Sequence, residues 1–259
     1  VSAKKETLGK TVGVVVAVCL VCSIIVSGAA VGLRELQQAN AALDRQSNIL
    51  AAAGLLGEAK TKKEIGIVYD ARVVERFVNL TTGEYVANPA EGESKPYDMY
   101  GRVSKAPETS TKAEGSPAGF SRRANVASIF LIKDDDGVVS RIILPVHGSG
   151  LWDLMFGFLA LDSDGHTIRE LIFYQHKETP GLGGEIQNPE WQAKWNGKQL
   201  FKNGNVAIEV NKGDNRDNQY AVDALSGATL TSNGVENTLE YWASDNGYGN
   251  YLKKQSWKS

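Results

Sequence analysis

The chain has 259 residues, a formal net charge of −2 and two cysteines, Cys19 and Cys22. That length suffices for one ordinary domain with additions, or two small ones, with a substantial core. So neutral a balance excludes the basic footprint of a nucleic-acid binder, and the absence of cysteine after residue 22 excludes a disulfide framework or cysteine-based zinc site there.

Residues 11–33 carry no charge. As a helix they span about 34 Å at roughly 1.5 Å per residue, enough to cross a hydrocarbon core. A cleaved signal peptide is the rival, with Ser27-Gly28-Ala29 as a cleavage-like site, but its apolar region is shorter, about 7–15 residues. Lys4, Lys5 and Lys10 precede the run, so the positive-inside rule puts the N-terminus in the cytoplasm and residues 34–259 outside; Arg34 works weakly against this. Cys19 and Cys22 read as small packing residues of an apolar helix, with a cluster ligand shared with another chain as the alternative.

Residues 34–58 continue as helix, with Leu36, Leu43 and Leu50 seven apart, as a stalk or as a helix packed on the domain. A short helix is predicted at 62–71 and a strand at 72–80, ending at Thr82-Gly83. Asn79-Leu80-Thr81 is a glycosylation sequon of a kind that also arises by chance. Residues 88–121 are rich in Pro, Glu, Ser, Lys and Gly, which predicts a long exposed excursion with little regular structure.

Two strand–turn–strand units follow. Residues 129–133 and 138–146 flank Asp134-Asp135-Asp136-Gly137; residues 157–161 and 166–175 flank Asp162-Ser163-Asp164-Gly165. The Asp-Gly pairs mark hairpin turns. The acids lack the spacing and terminal Glu of an EF-hand loop, so turn chemistry explains them better than calcium. Asn188-Pro189 starts a short helix carrying Trp191 and Trp195. Lys202-Asn203-Gly204-Asn205 marks a third hairpin, with 206–210 as its second strand. The fold class is α+β: an antiparallel sheet with flanking helices, preceded by one N-terminal transmembrane helix.

Three stretches can carry chemistry. The first is Asp223-Ala224-Leu225-Ser226-Gly227-Ala228-Thr229, followed by a helical pattern at Val235, Leu239 and Trp242. Hydroxyls here can cap that helix, and its free N–H groups and positive dipole end suit a phosphate. Gly227 lets backbone come close to a ligand; the bland alternative is a turn and an N-cap. The second stretch, His176-Lys177-Glu178-Thr179-Pro180-Gly181-Leu182-Gly183-Gly184-Glu185, has more glycine than a turn needs, which suggests backbone close to a flat ligand. It is neither GxGxxG nor a P-loop. The third is His147-Gly148-Ser149-Gly150-Leu151-Trp152. It lacks both outer glycines of a nucleophile elbow, and three histidines without HExxH give metal hydrolysis little support.

Ser226-Gly227-Ala228-Thr229, with Asp223 upstream, resembles the flavinylation motif of periplasmic FMN-binding domains. His176-x-Glu178-Thr179-Pro180-Gly181-Leu182-Gly183 matches that family's second signature. With the anchor, the excursion and Gly150-Leu151-Trp152, essentially the whole chain resembles the C subunit family of sodium-translocating NADH:quinone oxidoreductases. The G subunit family of the Rnf-type complex shares both motifs in generally shorter chains and is the alternative.

The resemblance implies a covalent FMN whose phosphate is esterified to Thr229 by a flavin transferase using FAD and Mg²⁺. It implies cofactor-binding roles for Ser226, Gly227 and Ala228, for Glu178, Thr179, Leu182 and Gly183 near the isoalloxazine, and for Leu151 and Trp152. Lys212 is a candidate for a charge that tunes the flavin, or a solvated surface lysine. No catalytic acid or base, no metal and no NADH site of its own are expected. Electrons would come from NADH through other membrane subunits and leave towards quinone, coupled to sodium export, with the sodium path in multi-span partners. The implied layout is a single-pass protein of the bacterial inner membrane. Residues 1–10 are cytoplasmic, 11–33 transmembrane, 34–121 a helical stalk and irregular periplasmic segment, and 122–259 the FMN-binding domain. Two rivals from other classes are a noncovalent FMN-binding or sensory module and a serine hydrolase using Ser149 or Ser226.

Overall fold

The computed structural model describes residues 7–93 and 96–258. The chain divides into two units, the first ending at Arg45 and the second beginning at Gln46. In the first, helix α1 (Leu8–Gly32) has 25 residues and is long and apolar enough to cross a membrane. It starts a turn earlier than the uncharged run and takes in Lys10; Lys4 and Lys5 lie outside the described residues. A break at Leu33 separates it from α2 (Arg34–Ala52).

In the second unit the end of α2 is buried at Ile49, Leu50 and Ala52. Helix α3 (Lys62–Arg72) starts on a capping box. The Thr61 hydroxyl accepts from the Glu64 N–H, and the Glu64 carboxylate accepts the Thr61 N–H. Strands β1 (Val73–Asn79) and β2 (Glu84–Val86) follow, then β3 (Ser110–Lys112), β4 (Arg122–Ala124), β5 (Val126–Lys133), β6 (Val139–Ser149), β7 (Leu154–Asp162) and β8 (Ile168–Gln175). The six-stranded sheet has the order β2-β1-β5-β6-β7-β8, every pair antiparallel. Its first two strands come from within 34–121, so that segment is part of the sheet.

Alternation divides the sheet residues between two cores, because successive side chains point to opposite faces. Ile129, Leu131, Ile142, Leu144, Leu159 and Leu161 belong to one cluster with Val235, Leu239 and Trp242. Phe130, Ile132, Ile143, Phe158 and Ala160 belong to the other with Ile49, Leu50 and Ala53. The predicted turns use their acids as expected of turn chemistry. Asp134 Oδ1 accepts from the Asp136 and Val138 N–H groups, and Asp164 accepts from the His166 and Thr167 N–H groups and the Thr167 hydroxyl.

Two expectations are corrected. The excursion is not wholly exposed: Met99, Ala113, Ala118 and Phe120 are buried, and β3 pairs with β4. Few apolar residues suffice because Met99, Ala113, Ala118 and Phe120 all join the cluster that contains Trp242. The strand expected at 206–210 is split. β9 (Phe201–Lys202) and β10 (Asn205–Val206) close the hairpin, with Asn203 and Gly204 at positive φ of 51° and 81°. Then β11 (Glu209–Asn211) pairs in parallel with β12 (Ala221–Asp223), apart from the main sheet. Between β8 and β9 lies α4 (Pro189–Gln192), capped by Asn188 and carrying Trp191. After β12 come α5 (Thr229–Ala243) and α6 (Gly249–Lys254).

Candidate functional site

The chain after β12 makes its turn with Gly227 at φ +74°, a left-handed conformation that favours glycine, and the Ala228 N–H closes back on the Leu225 carbonyl at 3.2 Å. Helix α5 then starts at Thr229. Its N-cap is Ala228, which offers no side-chain oxygen, and the first turn holds no acid. The hydroxyl capping expected from the sequence is therefore absent at this helix, and among the described residues no side chain accepts from its first-turn N–H groups.

The four hydroxyls between 226 and 232 divide into two pairs. Ser232 is buried; it donates to the Ala228 carbonyl at 3.0 Å and accepts the Leu225 N–H at 3.0 Å, locking the turn. Thr231 is buried and donates to Glu178 Oε2. Ser226 and Thr229 are exposed, and among the described residues neither hydroxyl is held in a hydrogen bond. Asp223 braces the approach to the motif. Its carboxylate takes Lys194 Nζ at 2.6 Å and the Asn215 N–H at 2.7 Å, and its carbonyl takes Trp191 Nε1 at 2.8 Å. The hydrogen bond from Lys194 is the main cause that holds this carboxyl below the usual carboxylate range.

The other two stretches meet this one at Glu178, which is only 4% exposed. Its Oε1 accepts the Trp152 N–H at 3.0 Å while Oε2 accepts from Thr231. Residues 150–153 form the turn between β6 and β7, closed by Gly150 N–H to the Asp153 carbonyl at 2.9 Å. Trp152 Nε1 donates to Thr179 Oγ1 at 3.1 Å, although the indole is 67% exposed. Leu151, Leu182 and Leu230 are also exposed, so the three joined segments present apolar side chains to solvent. A Cβ on Gly227 would lie 3.2 Å from Leu182 Cδ2, which puts the 182 side chain beside the motif.

Two glycines of the second stretch, Gly183 and Gly184, have protein neighbours. A Cβ at Gly183 would stand 2.7 Å from Glu178 Oε2, and one at Gly184 3.1 Å from the Thr179 carbonyl. Gly181 meets open space and serves its positive φ of 75°. Lys212 is exposed just past β11, whose Asn211 carbonyl accepts the Ala224 N–H at 2.8 Å. No hydrogen bond draws Lys212 into the Glu178 cluster among the described residues. Three features were missed in the sequence: the Thr231–Glu178 bond, the role of Gly150 and the exposed Leu230. Only Leu230 left a signal there, since it falls off the stripe formed by Val235, Leu239 and Trp242.

His147 is a core residue. It is 6% exposed, with Phe120 at 4.4 Å and Phe156 stacked at 5.7 Å between ring centroids, and its Nδ1 has no partner. Burial pushes its pKa down to about 3. A histidine neutral in the fold and chargeable when unfolded, near pH ~6.5, favours unfolding as pH falls. The stability it preserves is complete above that value and is lost between it and about pH 3, at up to roughly 1.4 kcal/mol per pH unit. Denaturant titrations from pH 7 to 4 should therefore be less steep with pH in His147→Phe than in the parent; equal slopes would contradict the buried, neutral ring.

Residues 150–244, which hold the uncapped start of α5, the exposed apolar residues and the glycine-bearing loop joined through one carboxylate, match the family model described as FMN-binding domain. The chain is 46% identical over 252 residues to the C subunit of the Na(+)-translocating NADH-quinone reductase of Yersinia pestis, covering 96% of this chain and 93% of that one. It is 45% identical over 258 residues to the corresponding C subunit of Vibrio parahaemolyticus, covering 98% and 97%. The crystal structure of Shewanella oneidensis NqrC superposes with a TM-score of 0.75 at 32% identity, covering 81% of this chain and 95% of that one. The chain belongs to the C subunit family of Na(+)-translocating NADH-quinone reductases.

Proposed function

We propose that this chain is the FMN-carrying C subunit of a sodium-translocating NADH-quinone reductase, with the flavin esterified through its phosphate to Thr229. The observation that carries the attachment site is the division of hydroxyls. Thr231 and Ser232 are buried and engaged, whereas Thr229 is exposed at the first position of α5, where side chains leave the N–H groups uncapped. That helix start favours the anionic phosphodiester. A threonine hydroxyl is a weak nucleophile, so a separate flavin transferase makes the bond. With FAD as donor, the Thr229 oxygen bonds to phosphorus, AMP leaves and the hydroxyl proton passes to solvent.

FMN supplies the electron uptake and release when bound. The chain supplies attachment at Thr229, backbone close to the phosphate at Gly227 and Ala228, and apolar cover from Leu151, Trp152, Leu182 and Leu230. Ser226 is close enough in sequence to help present the motif. Glu178, Thr179 and Gly183 shape the loop beside it, and exposed Lys212 has the weakest claim to a part in the site. The nearly full-length relatives bear the C subunit name, which favours this reading over the Rnf-type G subunit. The partners are the other membrane subunits of the complex and, during maturation, the transferase. Produced with that transferase, denatured and stripped of small molecules, the chain should stay yellow; a colourless chain would return the site to noncovalent binding.

In this reading α1 crosses the bacterial inner membrane, with the N-terminus inside and the flavin domain in the periplasm. The length of α1 supports the crossing, and the lysines before and at its start support that orientation. A reporter active only outside the cytoplasm, fused after residue 259, should be active. Silence from that fusion, in cells that export the reporter normally, would reverse the orientation.

A further inference from the structure

We propose that Glu178 is a positioning residue, a buried brace that fixes the β6–β7 turn and the 179–183 loop against the first turn of α5 without touching the flavin. The proposal rests on the flavin reading for its consequence, but its geometry stands by itself. Both carboxylate oxygens are occupied by the protein: Oε1 by the Trp152 N–H at 3.0 Å, Oε2 by the Thr231 hydroxyl. Neither is left to face a ligand. Among the described residues Glu178 makes no ion pair, so these two donors are its carboxylate's polar partners.

Two glycines from different segments close on the same group. A Cβ at Gly150 would lie 2.5 Å from Oε1 and one at Gly183 2.7 Å from Oε2, so the carboxylate sits between two bare Cα positions. Glycine at 150 and 183 is thus what lets a carboxylate stand at the junction of three segments. The residues it fixes are those with exposed apolar side chains: Leu151 and Trp152 on one side, Leu182 on the other, and α5 beneath them. Trp152 Nε1 to Thr179 Oγ1 at 3.1 Å depends on the same register. A hydrogen bond to a buried charged group is among the stronger ones, and its loss frees whatever it held.

A glutamine can keep both bonds, accepting from Trp152 and donating to the Thr231 oxygen, because a hydroxyl can turn. An alanine can keep neither. In the full-length chain carrying Thr229→Ala, and so without covalent flavin, Glu178→Ala should speed amide exchange at Trp152 about tenfold or more. Glu178→Gln should stay within about twofold of its parent. In the flavin-bearing chain, Glu178→Ala should keep covalent flavin by mass but shift its midpoint potential and visible circular dichroism, and Glu178→Gln should restore both.

Should the alanine variant not fold, Thr231→Val and Thr231→Ser make the same comparison from the other end: valine shifts the flavin spectrum and serine does not. Unchanged Trp152 exchange and an unchanged flavin in Glu178→Ala would overturn the proposal. So would a glutamine that behaves as alanine does, which would assign the effect to charge. Absence of covalent flavin from the parent would defeat the flavin reading alone, since the exchange experiment does not use it.

Discussion

Thr229→Ala should abolish covalent flavin. The chain loses the hydroxyl that is both exposed and set at the uncapped start of α5; the other exposed hydroxyl, Ser226, lies in the turn before that helix. Thr231 and Ser232 are buried, with their hydroxyls committed to Glu178 and to the Ala228 carbonyl. Thr231→Ala and Ser232→Ala should therefore retain the modification, although neither is neutral. The first strips a donor from a buried carboxylate, and the second leaves the Leu225 N–H without its acceptor. Ser226→Ala lowers the yield if that exposed hydroxyl helps present the motif. Thr229→Ser keeps the oxygen but loses the methyl that restricts χ1, so modification falls without vanishing. In-gel flavin fluorescence of all five variants, produced beside an active transferase, gives the ranking. Full fluorescence in Thr229→Ala would move the attachment elsewhere.

Trp242→Ala should be the most damaging single change to the fold. The indole is 1% exposed, packs on Tyr248 at 5.2 Å between centroids, and donates Nε1 to the His147 carbonyl at 2.7 Å. It fastens α5 to β6, the strand that runs into the 150–153 turn. Truncation removes a large buried ring and leaves a cavity, which costs about 3–5 kcal/mol, and it strands a buried carbonyl besides. Because α5 begins at Thr229, loosening it should also cut the flavin yield. Denaturant unfolding followed by far-ultraviolet circular dichroism measures the first effect. A loss below about 1 kcal/mol would mean that α5 is held mainly by other contacts.

Much of this was legible in the sequence because it is local. The α1 run, the Asp-Gly turns and the stripe of Val235, Leu239 and Trp242 each declare themselves within one element. The resemblance of two motifs pointed to flavin before any geometry. What sequence could not supply is what depends on segments far apart meeting in space. Residues 88–121 look exposed by composition, yet Phe120 ends 4.4 Å from the His147 ring because β3 pairs with β4 and leads it there. The hydroxyls at 226–232 all look like caps; only the fold reveals that Ala228 takes the cap position while Ser232, inside the helix, turns inward. Gly183 reads in the sequence as room for a ligand, and instead its missing side chain makes room for Glu178 and Thr231. Nothing in the local pattern at 178 announces a partner 53 positions away.

The most direct measurement is peptide mapping by tandem mass spectrometry on the chain produced with and without the transferase. Esterification at Thr229 predicts a peptide heavier by FMN less one water, with fragment ions that place the increment on residue 229, only when the transferase is present. An unmodified peptide from transferase-bearing cells, or fragment ions that put the flavin on Ser226, Thr231 or Ser232, would contradict it.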